Sequence, residues 1–270
     1  MSRINEKFTS LHLTGKKGFI PFVTAGDPDL QTSLLIVEAL AQEGADVIEL
    51  GVPFSDPMAD GPTIQASSQR ALMNQVSLID VLDLARSFRQ SSDIPVVLFS
   101  YLNPLLQYGI CRLRDDAAKN GIDGILVTDI VDDEAAEISD ILSERGIDLI
   151  SLVAPTTSEE RLEKICARAR GFVYAVSRAG VTGARENMSE TADRLVHRVR
   201  KYTELPIAVG FGISTQQQVE DVWRFADAAV VGSAIVAEIA GAKGSEAAIE
   251  SVRSFVKGLL PRVAKTPHGI

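Results

Sequence analysis

Glu49 is the residue of this sequence that most invites a chemical reading. It lies inside the apolar run 47–50, and a carboxylate buried without a partner is costly in its charged form. Desolvation would raise its pKa and let it act as both general acid and general base near neutral pH. The same position also suits a structural carboxylate paired inside the core. The run continues into Gly51-Val52-Pro53-Phe54-Ser55-Asp56-Pro57-Met58-Ala59-Asp60-Gly61-Pro62-Thr63. Its prolines restrict the backbone and fit a preorganised site. Asp56 and Asp60 read there either as further catalytic carboxylates or as turn and capping residues.

Two glycine turns offer a site for an anion. They are Gly210-Phe211-Gly212-Ile213-Ser214 and Gly232-Ser233-Ala234. Glycine allows close backbone approach, and a helix start aims free N–H groups at a negative charge. The alternative is a pair of simple tight turns. The stretch 177–187, with Gly180 and Gly183 between polar flanks, reads as a lid over a ligand or as an ordinary surface loop.

Absences narrow the chemistry. All nine lysines fall outside the apolar runs, so a Schiff-base lysine inside a barrel is not expected. His12, His197 and His268 lie on no such run or at its end, and Cys111 and Cys166 form no ligand-spaced cluster, which disfavours a metal centre. Two lone cysteines fit a reducing compartment. With 27 basic and 36 acidic residues the net charge is −9, which argues against a broad nucleic-acid surface. No stretch approaches eighteen uninterrupted apolar residues, and the first residues lack a signal-peptide core. The expectation is a soluble cytoplasmic protein with no membrane contact. The remaining candidates are carboxylates, with Tyr101 and Tyr174 near strand ends, acting on a small phosphorylated substrate.

The elements that must position these groups are legible as alternation. Eight short apolar runs occur at 19–24, 47–50, 96–100, 125–128, 149–153, 172–176, 207–209 and 229–231. They are nearly continuous in apolar residues, as parallel strands buried on both faces are. Amphipathic stretches lie between them, with apolar stripes at Leu34, Leu35, Val37, Leu40 and Ala41, at Val81, Leu82, Leu84 and Ala85, and at Ala135, Ile138, Ile141 and Leu142. Gly44, Gly121, Gly124, Gly146 and Gly171 read as helix stops, and Pro95 and Pro206 as strand starts. The pattern predicts an α/β fold, a closed (β/α)8 TIM barrel, over an open doubly wound sheet of similar length. An extra N-terminal helix (3–11) and a C-terminal helix (246–260) are expected, in one domain spanning 1–270. In such barrels the site forms at the C-terminal ends of the strands, and phosphate often sits after strands seven and eight.

On these residues the chain resembles the tryptophan synthase alpha subunit family over essentially its whole length. The most specific stretches are Pro21-Phe22-Val23-Thr24-Ala25-Gly26-Asp27-Pro28 and the run from Leu50 to Gln65. Ser177-Arg178-Ala179-Gly180-Val181-Thr182-Gly183 and Gly210-Phe211-Gly212-Ile213-Ser214 also match. The resemblance implies a carbon–carbon lyase that cleaves indole-3-glycerol phosphate to indole and D-glyceraldehyde 3-phosphate by a retro-aldol step in L-tryptophan biosynthesis. It maps the catalytic carboxylates onto Glu49 and Asp60. The indole pocket maps onto Phe22, Phe99, Leu126, Leu152, Thr182 and Phe211, with plain barrel filling as the other reading of Leu126 and Leu152. Some family members carry Leu where this chain has Phe99. The phosphate clamp maps onto Gly183, Gly212, Gly232 and Ser233, with Tyr174 nearby. Pro53, Asp56, Asn103 and Pro104 match the family's partner-facing surface. The partner implied is a beta subunit holding pyridoxal phosphate, in an alpha2-beta2 heterotetramer through which indole is channelled. No cofactor is expected in this chain.

Three other readings compete. The chain could serve mainly as an allosteric activator of the beta subunit with weak lyase activity. It could be a free-standing lyase that releases indole. It could be a different phosphate-barrel enzyme, for which an inward lysine or another carboxylate arrangement is expected.

Overall fold

A computed structural model describes residues 2–176, 188–210 and 212–261. The eight strands are β1 (Gly18–Thr24), β2 (Ile48–Gly51), β3 (Val96–Ser100), β4 (Gly124–Val127), β5 (Asp148–Val153), β6 (Val173–Val176), β7 (Ile207–Gly210) and β8 (Ala228–Val231). Each pairs in parallel with its sequence neighbours, and β8 returns to β1 to close the barrel. The predicted runs all become strands, with ends shifted by a residue at most. Both faces of the strands are covered, which is why their sequences lack alternation.

Helices α1 (Arg3–Leu13), α2 (Leu30–Gln42), α3 (Pro62–Met73), α4 (Leu78–Phe88), α5 (Leu102–Tyr108) and α6 (Ile110–Lys119) accompany the first half. The second half carries α7 (Asp132–Ser143), α8 (Glu159–Arg168), α9 (Met188–Val199), α10 (Gln216–Trp223), α11 (Ser233–Gly241) and α12 (Ser245–Leu259). Three helical features differ from the sequence reading. The crossovers after β2 and β3 each hold two helices, the 12-residue α3 ahead of α4 and the 7-residue α5 ahead of α6. In α2, Leu35 faces solvent while Ile36, Val37, Ala39 and Leu40 are buried. The inward stripe is therefore rotated from the predicted one. Gly124 is the first residue of β4 and not a helix stop; the other four glycines of that set all adopt positive φ.

The core has two compartments. One lies between strands and helices. The other fills the barrel with Ile20, Val47, Val97, Leu126, Ile150, Phe172, Ala208, Ala228 and Val230. Helix α1 closes the bottom of this second compartment with Ile4, Phe8 and Leu11, and the Phe8 ring meets Phe172 at 5.6 Å between centroids. Carboxylates organise that same end. Asp46, Asp123 and Asp227, each just ahead of a strand, accept the backbone N–H of Phe19, Val96 and Ile207 at 3.0, 2.9 and 2.9 Å. Each also meets cations: Lys7 for Asp46, Arg3 and Arg89 for Asp123, Lys17 and Arg200 for Asp227. An acceptor placed in this way spares a strand N–H from being orphaned.

Because α1 plugs the barrel with apolar side chains, Phe8→Ala is expected to cost about 3–5 kcal/mol of unfolding free energy. Chemical denaturation of the purified variant checks this, with the native fold retained at low denaturant.

Candidate active site

Glu49 points into the barrel from β2, level with Phe22 of β1 and Val97 of β3. It is 1 % exposed, and its Oε1 has no hydrogen-bond partner. Burial alone drives its carboxyl up to about 8. Near neutral pH it is therefore a carboxylic acid within reach of its own titration point, as an acid–base catalyst needs to be. Of the two sequence readings, the paired structural carboxylate is not what the fold shows among the described residues.

The space over Glu49 is shaped by aromatic rings that need glycine neighbours. Phe22 and Phe99 meet edge to face at 5.2 Å. A Cβ on Gly51 would lie 2.6 Å from the Phe22 ring, so only glycine lets that ring settle there. On the opposite wall, a Cβ on Gly210 would lie 2.4 Å from the Tyr174 hydroxyl. Tyr174 is buried, and its ionisation is pushed well upward by desolvation and by the charges of Glu49 and Asp60. Tyr174 thus senses both carboxylates from one side of the mouth. Leu126 is fully buried in the barrel interior, and Leu152 packs at its edge, half-buried.

Asp60 stands on the loop between β2 and α3, half-buried. Desolvation raises its pKa, and a hydrogen bond from Tyr101 opposes that rise. The Tyr101 hydroxyl donates to Asp60 Oδ2 at 3.1 Å and accepts the Ala59 N–H at 2.9 Å. One hydroxyl therefore fixes both the carboxylate and the backbone beside it. Tyr101 lies just past β3, its ring 5.2 Å from that of Phe54. Sequence reasoning placed Tyr101 near the site but not in this role. The signal, a tyrosine at a strand's C-terminal end, needed the facing loop to give it meaning.

The two glycine turns differ in what they leave open. After β7, Gly212 has φ +79°, and no atom lies within 4 Å of where its Cβ would be. Just beyond it, Gln218 Oε1 accepts the N–H groups of Ser214 and Thr215 at 2.8 and 3.2 Å, and Thr215 caps α10 in return. The start of α10 thus carries a capping box of its own. After β8, Gly232 is the N-cap of α11 with no side-chain cap, and no acidic residue stands in that helix's first turn. The first N–H groups of α11, beginning at Ser233, are the open ones, and they suit an anion. A Cβ on Gly232 would lie 3.3 Å from Phe22 Cβ, so this end adjoins the aromatic space.

Thr182, Gly183 and Phe211 lie outside the described residues, as does the whole stretch 177–187 read as a lid. Of the partner-facing set, Pro53 is buried, Asp56 and Asn103 are exposed, and Pro104 is half-buried. Near them Met58 is 92 % exposed, with Leu106 and Val131 also open on the segments that follow β3 and β4. Among the described residues no cluster of His, Cys, Asp and Glu could hold a metal ion, and no helix is long and apolar enough to cross a membrane.

A buried acid whose folded pKa exceeds its unfolded value binds its proton more tightly in the native state. The native state therefore loses stability as pH rises from about 4.5 to about 8. Glu49→Gln should match the parent near about pH 5 and become progressively more stable than it toward about pH 9. Denaturation midpoints of the two proteins across that range check the sign.

Comparison with known proteins places the arrangement. The family model "Tryptophan synthase alpha chain" matches residues 8–262. The tryptophan synthase alpha chain of Citrifermentans bemidjiense is 46% identical over 98% of this chain and 99% of its own. That of Acidiphilium cryptum is 47% identical over 98% and 95%. Among solved structures, tryptophan synthase subunit alpha from Legionella pneumophila superposes with a TM-score of 0.87 at 35% identity, covering 96% of this chain and 97% of that one. Tryptophan synthase from M. tuberculosis in its aminoacrylate-bound form superposes at 0.85 and 32% identity, covering 96% and 100%.

Proposed function

This chain belongs to the tryptophan synthase alpha chain family and is a lyase that cleaves indole-3-glycerol phosphate in tryptophan biosynthesis; from that premise we propose that Glu49 and Asp60 carry the cleavage. The observation that bears most weight is Glu49, a buried carboxyl with no partner and a pKa near 8.

Cleavage of the bond between the indole ring carbon and the first glycerol carbon needs one proton delivered and one removed. Glu49, protonated at rest, gives its proton to the ring carbon, and the ring nitrogen takes on positive charge. The resulting carboxylate takes the proton of the hydroxyl on the neighbouring glycerol carbon. That carbon becomes the aldehyde of D-glyceraldehyde 3-phosphate, and the bonding pair returns to the ring as indole. The proton count balances, and Glu49 ends as it began. Asp60 holds the ring N–H and offsets the charge developing there. The Tyr101 hydrogen bond favours its ionised form, so the two carboxyls take different roles from different surroundings.

The ring occupies the space bounded by Phe22, Phe99, Leu126 and Leu152, closed by Thr182 and Phe211. The phosphate rests on the open amides of Gly232 and Ser233 at the start of α11, with Gly212 and Gly183 completing the cradle and Tyr174 beside it. The chain works as one domain, 1–270.

The alpha chain needs no cofactor, and pyridoxal phosphate resides in the beta subunit. Solved complexes of full tryptophan synthase imply a beta partner. The finer reading is an alpha2-beta2 assembly seated on the face of Pro53, Asp56, Asn103 and Pro104. The exposed Met58, Leu106 and Val131 support this, since large apolar side chains grouped on one end suit a protein partner. Acting mainly as an activator of the beta subunit is the weaker reading, because an unpaired buried carboxyl would then cost stability without use. A cytoplasmic location fits a soluble biosynthetic role.

Glu49→Gln keeps size and hydrogen-bonding shape but cannot exchange the proton. It is expected to lower the rate of indole release by at least about 10²-fold while substrate still binds. Assay of the purified chain with indole-3-glycerol phosphate, alone and with its beta subunit, checks this; undiminished turnover would remove Glu49 from the mechanism.

A further inference from the structure

We propose that helix α3 places Asp60, and that Gln65 and the Asp27–Arg70 ion pair are positioning residues for the cleavage. The proposal rests on the reading of Asp60 given above.

The segment 52–61 belongs to no strand or helix. Past the Val52 N–H to Phe99 O bond at its start, its backbone bonds are local turns (Met58 N–H to Asp56 O, Asp60 N–H to Pro57 O), so side chains tie the Asp60 turn to the barrel. Tyr101 supplies one hold, from the β3 side. The other comes from α3. Gln65 Nε2 donates to the carbonyl of Asp60 at 3.0 Å and, more weakly, to that of Pro57 at 3.4 Å. Those two carbonyls bracket the turn whose last residue is Asp60, closed by the Asp60 N–H to Pro57 O bond of 3.1 Å.

A tether is only as firm as its base, and α3 is tied down along its length. Ser67 Oγ meets Thr24 Oγ1 of β1 at 2.6 Å with both side chains buried. Arg70 makes a two-pronged pair with Asp27, Nε to Oδ1 and Nη2 to Oδ2, both at 2.7 Å. Asn74 Nδ2 donates to the Pro28 carbonyl at 2.6 Å. Positions 67, 70 and 74 recur at helical spacing, so one face of α3 carries all three ties. All of them lead to the C-terminal end of β1 or the turn just beyond it. Asp27 is 1 % exposed, and its fork with Arg70 fixes direction as well as distance, which a lysine could not do. The height of α3 against the barrel rim is thereby set from β1, and Gln65 passes that height on to Asp60. A carboxylate that must meet a ring N–H tolerates little displacement, since a misplacement of about 1 Å can cost about 10²-fold in rate.

The test compares the full-length chain with Gln65→Ala, Arg70→Lys, Asp60→Ala and the double variant Gln65→Ala/Asp60→Ala. Three quantities are measured: kcat and KM for indole release, thermal midpoint, and affinity for a non-cleavable indole–alkyl phosphate. Gln65→Ala is expected to lower kcat about tenfold and analogue affinity several-fold, with its thermal midpoint unmoved. Arg70→Lys, which keeps the charge but loses the fork, should shift kcat in the same direction. In the Asp60→Ala background, Gln65→Ala should leave analogue affinity unchanged within about twofold, because the carboxylate whose position the tether sets is gone while the backbone carbonyl it holds remains. Wild-type kcat in Gln65→Ala, or an equal loss of affinity in both backgrounds, would overturn the tether. Full turnover and full affinity in Asp60→Ala would overturn the assignment of Asp60, and the tether with it.

Discussion

The rest of the site depends on the desolvation of one carboxyl. Glu49 stands on a barrel strand among apolar neighbours, with no cation among the described residues to neutralise it. Its proton is therefore held up to a pH near 8, which is what the proposed proton delivery to the ring carbon requires. Had a lysine or arginine reached it, the same residue would have an ordinary or depressed pKa. The aromatic side chains Phe22 and Phe99 contribute to the apolar surroundings that desolvate the acid, and in the proposed reading they also bound the space for a flat ring.

The two ends of the barrel treat carboxylates in opposite ways. At the bottom, Asp46, Asp123 and Asp227 are tied to strand N–H groups and to cations, and those ties stabilise the closure of the sheet. At the top, Glu49 is left unpaired, and Asp60 has only a phenol. The contrast follows from physical purpose. A paired carboxylate holds shape, and an unpaired one stores an adjustable proton. The fold offsets the cost of the second kind with the stability of the first.

A similar contrast separates the two helix starts at the β7 and β8 exits. Thr215 and Gln218 form a capping box at the start of α10, whereas α11 begins at a bare glycine with no side-chain cap. In the proposed reading the anion rests on the first amides of α11, next to Phe22, so that the charged tail and the ring of one small substrate are held together. The loop after β2 and helix α5 after β3 present Met58 and Leu106 to solvent, which suits the partner subunit the family implies.

Some of this was written in the sequence and some was not. Eight apolar runs with glycine stops between them pointed to a closed parallel barrel over an open doubly wound sheet, since eight strands alternating with helices suit closure. Glu49 was conspicuous for being the one acid inside such a run, and the glycine turns for their place after the last two strands. These are local signals, and chain order alone carries them. What the sequence could not reveal is which groups meet. The absence of a partner for Glu49, the ring of Phe22 lying over Gly51, the phenol of Tyr101 on Asp60, and the fork of Arg70 on Asp27 join residues distant along the chain. Helices α3 and α5 were missed for the same reason, since their apolar pattern is weak; α3 is held by tertiary contacts such as Ser67 with Thr24. Periodicity marked the strands and the position of the acid among them; closure of the barrel decided that the acid would be 1 % exposed, with its Oε1 unpartnered among the described residues.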